Sequence, residues 1–218
     1  MAAPTYKDKG TLDYGSGNSI SVGYPTTAAN DLMLLFLYNS GSAKVFTPSG
    51  WTQLGLSKST TDGIYVMRCY YKLSTGSETG SLTCTRNPLT VGLFAGQIYS
   101  YDGTNNIAIL GHSTATGTTN SITWNSVTMS GTERTLAAFI MNKNDSAGVP
   151  SGYTNNASDS FTDNGEGVEF EINTKENVTS APSASATSGT STNNWVTFHI
   201  VIYNNDPVVT SPRSFIVN

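Results

Sequence analysis

Pro48-Ser49-Gly50-Trp51-Thr52 and Pro150-Ser151-Gly152-Tyr153-Thr154, 102 positions apart, share four of five residues and carry an aromatic at the fourth place. Proline presets φ and glycine takes the positive φ that other residues avoid, so Pro-Ser-Gly reads as a tight turn delivering an aromatic residue into a strand. Without a gap, the same shift aligns Gly15, Asn18, Ser19 and Ile20 with Gly117, Asn120, Ser121 and Ile122, and Leu34 with Leu136. Further along it sets Gly63 and Val66 on Gly165 and Val168, Ser81 and Thr85 on Ser183 and Thr187, and Ile98 and Tyr101 on Ile200 and Tyr203. The alignment predicts an internal repeat of about 100 residues.

Each copy reads as short strands bounded by turn residues. The first has Ser19 to Gly23, Leu32 to Tyr38, Trp51 to Leu56, Ile64 to Leu73, Ser81 to Arg86 and Leu93 to Tyr101. The second has Ser121 to Val127, Thr135 to Met141, Tyr153 to Asn155, Gly167 to Thr174, Ser183 to Thr187 and Trp195 to Tyr203. Leu32 to Tyr38 is apolar throughout, as expected of a strand covered on both faces. The fold predicted is an all-β, jelly-roll-like β-sandwich built from two internal repeats, 15–103 and 117–206, interlocked as one domain. Residues 104–116 read as a connector, 1–14 as an N-terminal arm and 207–218 as a C-terminal tail. Two tandem immunoglobulin-like sandwiches are the alternative.

Composition agrees with an all-β chain and narrows the partners. Charged residues are 12% of the 218, against about 25% in an average soluble protein, and Ser, Thr, Asn and Gly disfavour helices. A net charge of −4 with no basic run offers nothing to a phosphate backbone, so no nucleic-acid partner is expected. Met1 to Gly10 has no apolar signal core and no apolar run is long enough to cross a bilayer, so synthesis in a cytoplasm is expected without membrane insertion. Cys69 and Cys84 are too few for a disulfide scaffold. A hairpin centred between Gly76 and Ser77 would set them opposite one another, so both free thiols and a bridge stay open.

Residues that could carry chemistry are sparse. His112 and His199 lie in no nucleophile-and-base pattern, and His199 aligns with Gln97, which cannot act as a base. Glu166, Glu169 and Glu171 cluster, but Glu169 and Glu171 alternate with Val168, Phe170 and Ile172 and so read as an outward acidic face. Asp159, Asp163, Asn164 and Glu166 offer oxygen ligands in a loop, without the order that a calcium-binding loop uses. No catalytic residue, metal or cofactor is predicted. Trp51 and Tyr153 admit two readings: exposed platforms for sugar rings or partners, or plugs closing the open end of a sandwich. Phe215, Ile216 and Val217 are unusually apolar for a chain end and read as an attachment point.

The series of Asn30-Asp31 before an apolar run, Pro48-Ser49-Gly50-Trp51-Thr52, Tyr70-Tyr71-Lys72 before Gly76-Ser77-Glu78, and Tyr99-Ser100-Tyr101-Asp102-Gly103, followed by a second copy, resembles duplicated β-sandwich virion proteins of tailed bacteriophages. The likeness spans roughly residues 18 to 206. It departs in the second copy, where Asn173-Thr174-Lys175 replaces Tyr-Tyr-Lys. The resemblance implies a non-catalytic structural protein of the virion, a capsid decoration or head-fibre protein. Its expected partners are copies of itself, as a trimer by analogy, and the major capsid or other virion proteins. A glycan-binding adhesin or receptor-binding tail-fibre module, meeting host-surface glycans through Trp51 and Tyr153, is the alternative.

Overall fold

A computed structural model describes residues 2–41, 43–87, 92–103, 107–143, 147–163, 165–189 and 194–205. The apolar run forms the middle of β4 (Ala29–Ser40), and its two hydrogen-bonding edges are both taken, by β7 (Tyr65–Thr75) and β9 (Phe94–Asp102). Outside these lie β1 (Thr5–Lys9) and β2 (Asp13–Gly15) along β9, and β5 (Thr52–Gln53) and β6 (Lys58–Ser59) along β7. The second half repeats this order. β12 (Arg134–Lys143) is central between β14 (Glu166–Val178) and β16 (Trp195–Asn204), with β13 (Thr154–Asp163) and β10 (Ile107–Gly117) at the edges. Every strand pair is antiparallel.

The two sheets face each other across one core, and each sheet is drawn from one half of the chain. Leu34, Phe36, Tyr38, Met67 and Tyr99 of the first sheet meet Phe139, Met141, Phe170, Phe198 and Ile200 of the second. Phe36 and Phe139 stack at its centre, ring centroids 3.6 Å apart and 7° from parallel. Tyr38 donates a buried 2.6 Å hydrogen bond to Asp163 across the sheets, and Lys9 pairs with Asp159 at 2.5 Å. The outer faces carry two-stranded ribbons. β3 (Ser19–Gly23) and β8 (Ser81–Thr85) lay Ile20, Val22 and Cys84 over Met33, Leu35 and Leu37. β11 (Ser121–Trp124) and β15 (Ala184–Thr187) lay Ile122 and Trp124 over Ala138 and Ile140. The molecule is therefore an all-β sandwich with covered outer faces.

Several boundaries differ from the sequence reading. The N-terminal arm, 1–14, is edge strand: Thr5 to Lys9 and Asp13 to Gly15 pair along β9. The connector, 104–116, is strand from Ile107 onward, pairing with β16 along its whole length. Its residues are mostly half-buried, because an edge strand wetted on one side tolerates the Ser and Thr that made it look like a loop. The acidic stretch read as a loop is largely paired strand, with Asp159 and Asp163 in β13 and Glu166 in β14. The tail, 207–218, with Phe215, Ile216 and Val217, lies outside the described residues.

The gapless shift of 102 does not survive the central strands. It would place Leu37 on Phe139, yet Leu37 faces the outer ribbon and Phe139 the inner core. Faces match instead at 103 for β4 on β12 and β7 on β14, and at 101 for β9 on β16, so Phe36 is the counterpart of Phe139. The ribbons keep 102, Ile20 with Cys84 against Ile122 with Ala186. Since side chains alternate with period two, each one-residue offset swaps inside for outside. The cysteines separate for a related reason. β8 pairs with β3, not β7, so Cys69 points into the inner core and Cys84 into the outer one, both free and buried. Burial pushes the Cys84 thiol up to about 12 and the Cys69 thiol well above its ordinary value.

Candidate functional site

The two Pro-Ser-Gly turns share a backbone and deliver their aromatic residues into different surroundings. Gly50 and Gly152 both sit at φ +78°, and the amides of Trp51 and Tyr153 donate to Pro48 O at 3.1 Å and Pro150 O at 3.0 Å. Trp51 is 5% exposed and packs against the outer layer of the first half, among Leu35, Tyr70 and Ile98. It is a plug. Tyr153 is half-buried, and the layer beneath it has changed character.

In the first half Leu35 lies between Tyr70 and Ile98; in the second, Ala138 lies between Asn173 and His199. The structural counterpart of His199 is thus Ile98, not Gln97, which faces inward and accepts from Tyr99 Oη at 2.7 Å. The small Ala138 side chain leaves room above it, and Tyr153 Oη stands 2.8 Å from His199 Nε2. His199 Nδ1 is 2.9 Å from Asn125 O. A carbonyl only accepts, so Nδ1 carries the proton and Nε2 accepts from Tyr153. Burial lowers the imidazole's proton affinity, against the pull of the Asn125 carbonyl, and raises that of the Tyr153 phenol. The ring is held neutral and the tyrosine fixed in place.

Glu171 belongs to the same layer. It reads from the sequence as part of an outward acidic face, but it is 1% exposed and accepts from Asn173 Nδ2 at 2.6 Å. The alternation identified its face correctly; that face is covered in this fold. Burial pushes its carboxyl up to about 7, Glu169 adding to the shift and the Asn173 hydrogen bond opposing it. Asn142, Thr197 and His199 are fully buried beside it, where the first half has Asn39, Gly96 and Ile98. Glu171, Asn173 and His199 were missed as a group. The signal available was Asn173 and His199 standing where the first half has Tyr70 and Ile98, obscured by the one-residue misalignment.

Beside Tyr153 opens a cleft of about 430 Å³, within the range of small-molecule sites. Its apolar side is Leu136, Val178 and the tyrosine ring; its rim is Lys175, Glu176, Asn177 and the hydroxyls of Thr179, Ser180, Ser183 and Ser185. The Lys175 ammonium stands 5.9 Å from the Tyr153 ring centroid. A second cleft of about 380 Å³, lined by Leu54, Tyr71, Leu73, Ile109 and Leu110, is chiefly apolar.

The remaining candidates are engaged separately. Asp159 is held by Lys9 and Gln97, Asp163 by Tyr38, and Glu166 by Lys143. Among the described residues no three His, Cys, Asp or Glu side chains converge to hold a metal ion, and Asn164 lies outside those residues. His112 lies opposite Ile200 on β10, one residue from the partner of His199, but its ring is turned to the inner side against Gly55, while His199 faces outward to Tyr153. Comparison with protein-family models, with curated proteins and with solved structures finds no match.

Proposed function

We propose that the chain is a non-catalytic structural protein of a tailed-phage virion, a capsid decoration or head-fibre protein displayed on the particle surface with copies of itself. Besides the resemblance to such proteins, one observation carries the reading: both halves bury their facing sheets in a single aromatic core centred on Phe36 and Phe139. Dense non-local pairing of this kind folds slowly and then persists, which suits a particle component more than a switch. The apolar end Phe215-Ile216-Val217 is the proposed attachment to the shell.

Mass spectrometry of gradient-purified particles should find the full-length chain in fixed ratio to the major capsid protein. A chain lacking 207–218 should melt at the same temperature and drop out of the particles. Complete particles without the protein, or full incorporation of the truncated chain, would count against this reading.

A second reading, a glycan-binding adhesin or receptor-binding tail-fibre module, is favoured by the cleft at Tyr153. Trp51, the equivalent aromatic of the first half, takes no part, since it is buried.

A further inference from the structure

The two halves treat equivalent lysines differently. Lys72 lies opposite Met33 on β4, and Lys175 lies opposite Leu136 on β12, the same place in each sheet. Lys72 Nζ binds Glu78 Oε1 at 3.0 Å, and the Glu78 side chain is almost wholly enclosed. That carboxylate also accepts from Ser74 Oγ at 2.6 Å and from the Thr75 and Gly76 amides at 3.0 and 3.1 Å. Burial opposes its ionisation, but the Ser74, Thr75 and Lys72 bonds prevail and hold it well below the usual carboxylate range. The first half thus fills this position with an acid of its own.

The second half has none to offer. Residues 177–185 read Asn-Val-Thr-Ser-Ala-Pro-Ser-Ala-Ser, with no acidic residue. Lys175 makes no ion pair among the described residues, and its ammonium faces the cleft beside the Tyr153 ring. Glu176, the one carboxylate on the cleft's rim, is exposed and unpaired with it.

We infer that this cleft binds an acidic saccharide, Lys175 pairing with the sugar carboxylate where Lys72 pairs with Glu78, and the Tyr153 ring carrying the sugar's apolar face. The inference rests on the glycan-binding reading and sharpens it. The half-exposed Tyr153 ring matches the C–H face of a pyranose, and Thr179, Ser180 and Ser183 both donate and accept, as ring hydroxyls require. An acidic peptide would share the ion pair but leave those hydroxyls poorly matched. The His199 bond keeps the platform rigid, lowering the ordering cost of binding.

The test is titration of the full chain with glucuronate, galacturonate and N-acetylneuraminate, with glucose and galactose as neutral counterparts, followed by backbone amide shifts. Acetate and a glutamate-rich peptide serve as carboxylates without a sugar. Shifts should centre on 151–153 and 175–185, with at least one acidic sugar binding roughly five-fold tighter than its neutral counterpart, a margin that shrinks with salt. Lys175→Ala should erase the preference without lowering the melting temperature, and Ser183→Trp, filling the cleft from its exposed rim, should abolish all binding. Tyr153→Phe, which keeps the ring, should retain the preference. Equal binding of neutral and acidic sugars would overturn the inference while sparing the glycan reading. Equal or better binding of acetate or the peptide, or no response to any sugar, would overturn both.

Discussion

Replacing Phe139 by alanine is expected to cost the folded protein about 3–5 kcal/mol, the range for a large aromatic removed from a core that cannot collapse around the gap. The ring is fully buried, stacked on Phe36 and met edge-on by Phe170 at 5.5 Å and Phe198 at 6.4 Å. Backbones of two hydrogen-bonded sheets hold the surrounding positions apart, so little relaxation is available. Phe36→Ala should cost a similar amount, and the double variant less than the sum, because each ring's main partner is the other. The three tryptophans give a built-in readout: Trp51 reports the first half, Trp124 and Trp195 the second. In denaturant, all should lose native fluorescence in one transition, displaced as a whole by Phe139→Ala. A Trp51 transition left in place while those of Trp124 and Trp195 move would mean the halves fold independently.

Glu171→Gln should stabilise the protein above neutral pH by an amount on the order of 3 kcal/mol, with no gain at pH 4. The folded carboxyl titrates near 7, raised chiefly by burial, while in the unfolded chain it titrates near the ordinary glutamate value of about 4.3. Between these two values the native state holds a proton that the unfolded state has lost. Stability contributed by this group is therefore fully present below about pH 4.3, declines as pH rises toward 7, and is level beyond. Glutamine keeps an oxygen to accept from Asn173 and removes the ionisation. Melting temperatures of the two proteins measured from pH 4 to 9 should coincide at the acid end and diverge through neutrality. Parallel curves would show that Glu171 titrates normally. Glu78 and Asp8, whose carboxyls are held low by hydrogen bonds despite burial, work in the opposite sense, adding stability that is lost as pH falls through their folded values.

How much of this was legible in the sequence differs from one residue to the next. Leu32 to Tyr38 announced a strand covered on both faces, because seven consecutive apolar residues leave no wetted side, and Gly50 and Gly152 announced identical turns, because only glycine adopts their φ readily. Register was not legible: a block with four of five residues identical fixes an alignment locally, and a one-residue offset inverts inside and outside over the next strand. That inversion hid the equivalence of Phe36 with Phe139, and of Ile98 with His199. β10 was hidden because an edge strand need bury only part of each residue, so Ser and Thr serve as well as Val. The cleft was hidden because it depends on an absence, the lack in residues 177–185 of any counterpart to Glu78, which has meaning only once Lys72 and Glu78 are seen to meet.

The most direct test of one core built by both halves is to produce residues 1–103 and 104–218 as separate chains and record their amide spectra alone and mixed. Each sheet alone would expose the aromatic face that the other covers, so each half should be collapsed and without dispersed resonances, and mixing should restore the spectrum of the intact chain. A dispersed spectrum and a cooperative melt from either half on its own would contradict a shared core.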